Sequence, residues 1–232
     1  MRLAIVGHGQ MGRTVEALAI ECGHTIHTVV KAAENPDGQA LTRERLAGAD
    51  IAIEFTRPTS AAANVRRLLE AGLPTVTGTT GWTGRLPEIE RLVAQRGGAL
   101  LYSPNFSVGV QLFLKAAREL ARRFAGRPGF DAFILEQHHA AKLDAPSGTA
   151  LRLQEAVRSQ DSTHSFPITS VRAGSMPGTH ALTYDSVHET VRLEHVARSR
   201  LAFATGVLAA AEWLPGRQGL YTFEEMLFGR EG

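Results

Sequence analysis

The stretch LAIVGHGQMG, residues 3–12, decides the fold. A short apolar run, Leu3 to Val6, leads into Gly7, Gly9 and Gly12, and Met11 to Cys22 then carries helical periodicity as far as a stop at Gly23. G-x-G-x-x-G directly after a strand and directly before a helix is the turn that cradles a dinucleotide pyrophosphate. Gly7 allows the tight turn, Gly9 lets backbone approach the phosphates, and Gly12 lets helix and strand pack closely. The free amides at the helix start then face the anion. The bland alternative is a tight turn with no ligand.

Outward from this loop, strand and helix alternate. Strands are expected at Thr25 to Val30, Ile51 to Phe55, Thr75 to Thr77 and Ala99 to Tyr102. Helices are expected at Ala61 to Ala71, stopped by Gly72, and at Leu86 to Gln95. That alternation with short connections implies a mostly parallel sheet covered by helices on both faces. The pattern changes after residue 106. A longer helix, Val108 to Phe124, precedes a strand at Phe130 to Leu135 and a helix at Ser147 to Ser159. Three strand-like runs follow, Thr169 to Arg172, His180 to Tyr184 and Thr190 to His195, and then a helix, Leu201 to Trp213. Consecutive strands without intervening helices suggest an antiparallel or mixed sheet. The expected fold class is α/β: a Rossmann-type parallel-sheet domain, residues 1–106 with about 200–232, plus a smaller α+β domain with a mixed sheet, about 107–199.

Composition narrows the class. The 232 residues are 44% hydrophobic and 21% charged, with a net charge of +2. Lys and Arg are scattered, which argues against a nucleic-acid partner. The single cysteine, Cys22, excludes an internal disulfide and a Cys-based zinc site. No apolar run reaches the ~18 residues of a membrane span, and no signal-peptide pattern opens the chain. A cytoplasmic protein is expected.

In an open parallel sheet, ligands bind beyond the carboxyl ends of the strands. Three further loops fall there: Phe55-Thr56-Arg57-Pro58, Gly78-Thr79-Thr80-Gly81 and Ser103-Pro104-Asn105-Phe106. At the end of the second strand an acidic residue binds a ribose hydroxyl, and a basic one accommodates a 2′-phosphate. Lys31 stands there, 19 residues after Gly12, with Glu34 close behind. Lys31 tilts the choice towards NADPH, with NADH use left open; a solvated loop lysine is the alternative.

The second half carries EQHHAAKLDAPSGTA, residues 136–150. In an extended segment His138 and His139 point to opposite sides, and His138 and Lys142 can share one. Pro146-Ser147-Gly148-Thr149 places hydroxyls and free amides at a helix start, a site suited to a carboxylate. Adjacent histidines can ligate zinc, but no HExxH or Cys partner accompanies them, so no metal is expected. A hydride reduction needs a proton delivered to the substrate, and a His or Lys beside a carboxylate cradle supplies both functions.

This stretch resembles the E-x-H-H-x-x-K-x-D-A-P-S-G-T-A signature of the 4-hydroxy-tetrahydrodipicolinate reductase (dihydrodipicolinate reductase) family. VGHGQMGR, GTTG at 78–81, SPNFSVGV at 103–110, and SRLAFATGVLAAAEWL with GLYTFEEML resemble the same family in order. The resemblance implies NADH- or NADPH-dependent reduction of a cyclic dicarboxylate in diaminopimelate and lysine biosynthesis, by a homotetramer built through the substrate-domain sheets. It implies His138 as proton donor/acceptor and Lys142 as a second donor. His139, Gly148 and Thr149 would bind substrate. Gly7, His8, Gly9, Gln10, Met11, Gly12, Arg13, Gly78, Thr79, Thr80, Ser103, Pro104, Asn105 and Phe106 would hold the cofactor, and Lys31 joins them from its place at the end of the second strand rather than from the resemblance. The chain departs from the family in shorter loops after the second strand and around 157–168, in Glu54 for the common Asp, and in Lys31 for the usual acidic residue. Two rival classes are an amino-acid dehydrogenase of similar build and a nucleotide-sensing module. The DAPSGT stretch argues against the first, and a sensor would not need His138 and Lys142.

Overall fold

The computed structural model describes residues 1–229 in two compact units, Met1–Val108 with the segment from Leu201 onward, and Gly109–Arg200. The first unit holds strands β1 (Arg2–Val6), β2 (Thr25–Val30), β3 (Ile51–Glu54), β4 (Thr75–Thr77) and β5 (Ala99–Tyr102). After the four strands of the second unit it gains β10 (Gly219–Thr222). All pairings are parallel, in the order β10-β5-β4-β3-β1-β2. This is a Rossmann-like sheet.

Its strands read as apolar runs because helices cover both faces. Leu3 and Ile5 of β1 pack with Ile51 and Ile53 on one face, together with Val15 of α1 (Gln10–Glu21) and Val207 and Leu208 of α7 (Leu201–Trp213). Ala4 and Val6 face the other way, towards Leu46 of the short α2 (Arg43–Leu46) and Leu68 of α3 (Pro58–Glu70). Leu100 of β5 packs on that side with Val65 of α3 and Ile89 and Val93 of α4 (Leu86–Arg96). Each fully buried Leu or Ile contributes roughly 1.5–3 kcal/mol.

The second unit holds α5 (Val108–Phe124), β6 (Asp131–His138), α6 (Gly148–Arg158), β7 (Ile168–Arg172), β8 (Thr179–Asp185) and β9 (Thr190–Val196). Its sheet is mixed, in the order β7-β6-β8-β9: β7 runs parallel to β6, and β8 and β9 run antiparallel. The crossover through α6 is what makes the β6–β7 pair parallel. Ala132, Ile134, Leu182 and Tyr184 point to one face, where Phe113, Leu114 and Ala117 of α5 and Leu153 and Val157 of α6 cover them.

Three expectations are corrected. Strand β6 continues to His138 rather than stopping at Leu135, because it stays paired with β8 as far as Gln137 and with β7 at His138. Strand β10, followed by α8 (Phe223–Phe228), was not expected. GLYT is a short edge strand, half-buried throughout, with neither a clean alternation nor an apolar run to reveal it. Finally, the segment after His138 is a turn and not an extended strand: the Lys142 amide donates to the His139 carbonyl at 3.1 Å. Strand alternation therefore does not relate His138 to Lys142.

Candidate active site

The residues singled out by sequence fall into two groups, one in each unit. In the first unit, β2 lies on one side of β1 and β3 on the other, so the sheet reverses its direction of growth between β1 and β3. A crevice at the carboxyl ends follows from that reversal. The loops after β1, β3 and β4 line a cleft there of ≈ 280 Å³, walled by Gly9–Met11, by Phe55, Thr56 and Pro58, and by Gly78–Thr80.

Gly7 has φ +93°, and a Cβ there would lie 2.0 Å from the Phe55 carbonyl oxygen, so backbone sterics demand glycine. A Cβ at Gly12 would lie 2.0 Å from the Gly7 carbonyl. Gly9 differs: a Cβ there would meet no protein atom within 4 Å. Protein packing does not require that glycine, whereas a phosphate approaching the backbone does. The N-terminus of α1 carries no side-chain cap and no acidic residue in its first turn, so its amides are left for an anion. The residues present fit a dinucleotide.

Around the loop, His8 Nε2 lies 2.6 Å from Glu16 of α1, and Arg13 donates back to the His8 carbonyl at 3.1 Å. Lys31 is exposed, and its amide donates to Glu34 Oε1 at 2.7 Å. That carboxylate also accepts from Arg45 of α2 at 3.1 Å. The end of β2 thus carries both a basic and an acidic group. Ser103, Asn105 and Phe106 are buried in a self-bonded turn: Ser103 Oγ donates to the Asn105 carbonyl at 2.7 Å, and Asn105 Oδ1 accepts from the Ser107 amide at 2.8 Å. They do not wall the cleft, and neither does exposed Pro104.

In the second unit Glu136 is the hub, fully buried in the middle of the sheet. Its Oε1 accepts from Arg172 at 2.6 Å and from the Ser147 amide at 3.3 Å, and its Oε2 makes a short hydrogen bond with His138 Nδ1. Burial pushes this carboxyl up, but hydrogen bonds from Arg172, Ser170 and His138 outweigh burial and hold it at about 2. Burial pushes His138 down, helped by the charges of Lys142 and Arg172 and opposed by Glu136. A neutral His138 donates Nδ1–H to the carboxylate, which leaves Nε2 as the proton-exchanging atom. Gly178, at φ +154°, faces that ring: a Cβ there would lie 2.9 Å from Nε2.

Ser147 caps α6, accepting from the Ala150 amide at 3.2 Å, and its Oγ lies 2.9 Å from His180 Nε2. Burial, with His138 close by, pushes His180 down to about 4. Gly148 and Thr149 open the helix, and their amides have no hydrogen bond among the described residues. Lys142 Nζ donates to Asp144 at 2.7 Å, and Arg172 also holds the Asp144 carbonyl. His139 is tied by its amide to the Met176 carbonyl at 2.8 Å. So His138, Lys142 and the α6 N-terminus do come together. Glu136, His138 and His180 also form a set that could ligate a metal. The Arg172 guanidinium already occupies the carboxylate, and a cation would have to displace it.

Sequence reasoning missed Glu136, Arg172 and His180. Glu136 was findable, since two residues before His138 on a strand places both on one face. Arg172 lies 36 residues from Glu136 and left no local signal.

Two sequence profiles match the chain: Dihydrodipicolinate reductase, N-terminus, over residues 1–106, and Dihydrodipicolinate reductase, C-terminus, over residues 109–227. A protein of Christiangramia forsetii named 4-hydroxy-tetrahydrodipicolinate reductase is 32% identical over 98% of each chain. A protein of the same name from Neisseria gonorrhoeae is 31% identical, covering 98% of this chain and 97% of its own. Among solved structures, the dipicolinate-bound dihydrodipicolinate reductase from Paenisporosarcina sp. TG-14 has a TM-score of 0.82 at 23% identity, over 97% of this chain and 99% of that one. This last likeness speaks to the fold.

Proposed function

From the premise that the chain belongs to the dihydrodipicolinate reductase family, we propose how its residues carry out the reaction. The enzyme is an NAD(P)H-dependent oxidoreductase of diaminopimelate and lysine biosynthesis, converting 4-hydroxy-tetrahydrodipicolinate to tetrahydrodipicolinate. The names fix the balance: a hydroxyl is exchanged for a hydrogen, so a hydride and a proton enter and one water leaves. The bound nicotinamide supplies the hydride.

The first unit binds the dinucleotide. Gly7 to Gly12 and Arg13 hold the pyrophosphate at the α1 N-terminus. Gly78, Thr79 and Thr80 shape the nicotinamide side, and the turn Ser103 to Phe106, tied to β4 by the Ser103 amide on the Thr77 carbonyl at 3.1 Å, supports that wall without lining it. Lys31 meets a 2′-phosphate, which favours NADPH, while the Glu34–Arg45 pair keeps NADH usable.

The second unit binds the substrate and supplies the proton. One carboxylate takes the free amides of Gly148 and Thr149 and the Thr149 hydroxyl, and His139 adds a further contact. Lys142 gives up the proton, and His138 exchanges a proton at Nε2 while Glu136 fixes its ring. The observation that carries this reading is the Glu136 hub, because one carboxylate orients both His138 and the Ser147 cap of the anion cradle. The solved relative from Paenisporosarcina holds dipicolinate, a dicarboxylate of the kind this cradle suits.

Assembly as a homotetramer uses the sheet face opposite α5 and α6. Phe133 and Val196 are exposed there, next to the Arg192–Glu194 ion pair. Among the described residues no helix is long and apolar enough to cross a membrane. The lone Cys22 and a pyridine-nucleotide reaction support a cytoplasmic setting.

The test follows nicotinamide absorbance with NADPH and NADH, feeding substrate freshly made from pyruvate and aspartate semialdehyde. His138→Gln and Lys142→Met should each lower kcat by about 10²–10⁴-fold, with dinucleotide binding retained. Unchanged rates in both variants would remove the proton-transfer roles.

A further inference from the structure

We infer that Glu54 is a positioning residue for cofactor binding, clamping the loops after β3 and β4 into one preformed wall. The inference rests on the dinucleotide reading of the first unit. Glu54 ends β3, is fully buried, and makes no ion pair with a described residue. Four neutral donors take the place of a cation. Oε1 accepts from Thr56 Oγ1 in a short hydrogen bond and from Asn64 Nδ2 at 3.3 Å. Oε2 accepts from Thr77 Oγ1 at 2.6 Å and Thr79 Oγ1 at 2.8 Å. An ionised carboxylate offers about four lone-pair sites, and all four are used.

Thr79 Oγ1 accepts from the Thr56 amide at 2.8 Å, which leaves its one hydroxyl proton for Glu54. Asn64 Oδ1 accepts from Asn35 Nδ2 at 2.9 Å, which turns the Asn64 amide group towards Glu54 and Thr56. Asn35 Oδ1 in turn accepts from the Ala40 amide at 3.0 Å, which settles its own orientation. The chain of bonds therefore starts beyond β2, just past Lys31 and Glu34, and ends at the loop after β4. Only a group that accepts at every position can terminate it.

Thr56 and Thr79 wall the cofactor cleft, whereas Glu54, Thr77, Asn64 and Asn35 do not. Glu54 acts on the ligand only through the two threonines. With the network intact, the cleft needs no reordering when a dinucleotide arrives, which is a direct contribution to affinity.

Glu54→Gln keeps the size and puts an NH₂ where two donors already point, whichever way the amide is turned. The expected result is an increase of about tenfold in the dissociation constants of NADPH and NADH, read by nicotinamide fluorescence, as for the loss of one net hydrogen bond. Cofactor KM should rise in parallel, with kcat changed less than about threefold, because the variant removes ordering and no proton donor. Glu54→Asp, which restores an acceptor-only group, should recover most of the affinity. Thr77→Val is near-isosteric, walls no cleft and removes one of the two donors on Glu54 Oε2, the oxygen that Thr79 shares; it should raise the constants by about two- to fivefold and decides the matter if Glu54→Gln does not fold. Variants that melt lower yet bind with wild-type constants well below their melting temperature would overturn the inference alone. Wild-type protein that binds neither dinucleotide would overturn the dinucleotide reading, and this inference with it.

Discussion

Arg172→Met should make the stability of the protein depend on pH in the opposite direction from the wild type at one buried group. In the wild type, Glu136 is fully buried, sits 2.6 Å from Arg172 and is held at about 2, below its ordinary value of 4.5. A carboxyl depressed in this way contributes stability that is present above 4.5 and lost as pH falls towards 2. Removing the guanidinium while the carboxylate stays ionised costs about 3–5 kcal/mol, the penalty for an uncompensated buried charge. The site can escape part of that cost by taking up a proton, shared between Glu136 and His138. The pair's folded pKa then lies above its unfolded value. Stability is now retained at low pH and lost as pH rises through the folded value, by up to ~1.4 kcal/mol per pH unit. The gap between wild type and variant should therefore be small at pH 5 and open to several kcal/mol by pH 8. Urea unfolding followed by circular dichroism at pH 5, 6.5 and 8 measures it. A gap of the same size at pH 5 and pH 8, or none at pH 8, would refute the assignment of Arg172 as the cation that keeps Glu136 ionised.

Further tests address single contacts. Gly178→Ala places a Cβ 2.9 Å from His138 Nε2 at φ +154°, so the ring must leave its bond to Glu136 or the strand must shift; kcat should fall at least about tenfold with cofactor KM unchanged, and full activity would exclude Nε2 as the exchanging atom. Thr149→Val should raise substrate KM about tenfold by removing one hydroxyl from the carboxylate cradle, and a comparable loss in NADPH binding would instead place Thr149 at the cofactor. Lys31→Glu should move the NADPH to NADH ratio of kcat/KM towards NADH, though incompletely because Arg45 stays at the end of β2; an unchanged ratio would return Lys31 to the status of a solvated loop lysine.

The parts of this molecule that sequence revealed are those encoded locally. The phosphate loop is legible because strand, three glycines and helix follow within ten residues; Gly7 and Gly12 each answer a steric demand of the fold, and Gly9 leaves open space beside the backbone. The motif at 136–150 is legible because the proton-carrying side chains and the anion cradle are consecutive. What escaped is non-local. Arg172 reaches Glu136 only because the α6 crossover brings β7 alongside β6, and His180 reaches Ser147 only because β8 pairs with β6 on the other side. Glu54 shows in the sequence only as a longer acid in place of the family's common Asp, yet it is the acceptor for four side chains drawn from four separate positions. Strand β10 escaped because an edge strand of four residues has too little pattern to outweigh the turn signals before it.

The first unit is discontinuous in the chain, and this has a consequence for how a ribosome builds the protein. Its sheet face against Leu3, Ile5, Ile51 and Ile53 is closed by Val207, Leu208 and Leu214, and its edge is completed by β10. All of these are translated after the whole second unit. At about 5–20 residues per second, the N-terminal strands wait several seconds with that apolar face uncovered while the second unit, uninterrupted in sequence, is synthesised and can fold. The first unit is thus the last to be finished, and a chain truncated near residue 200 and released would carry every element of the second unit together with an open, aggregation-prone first one.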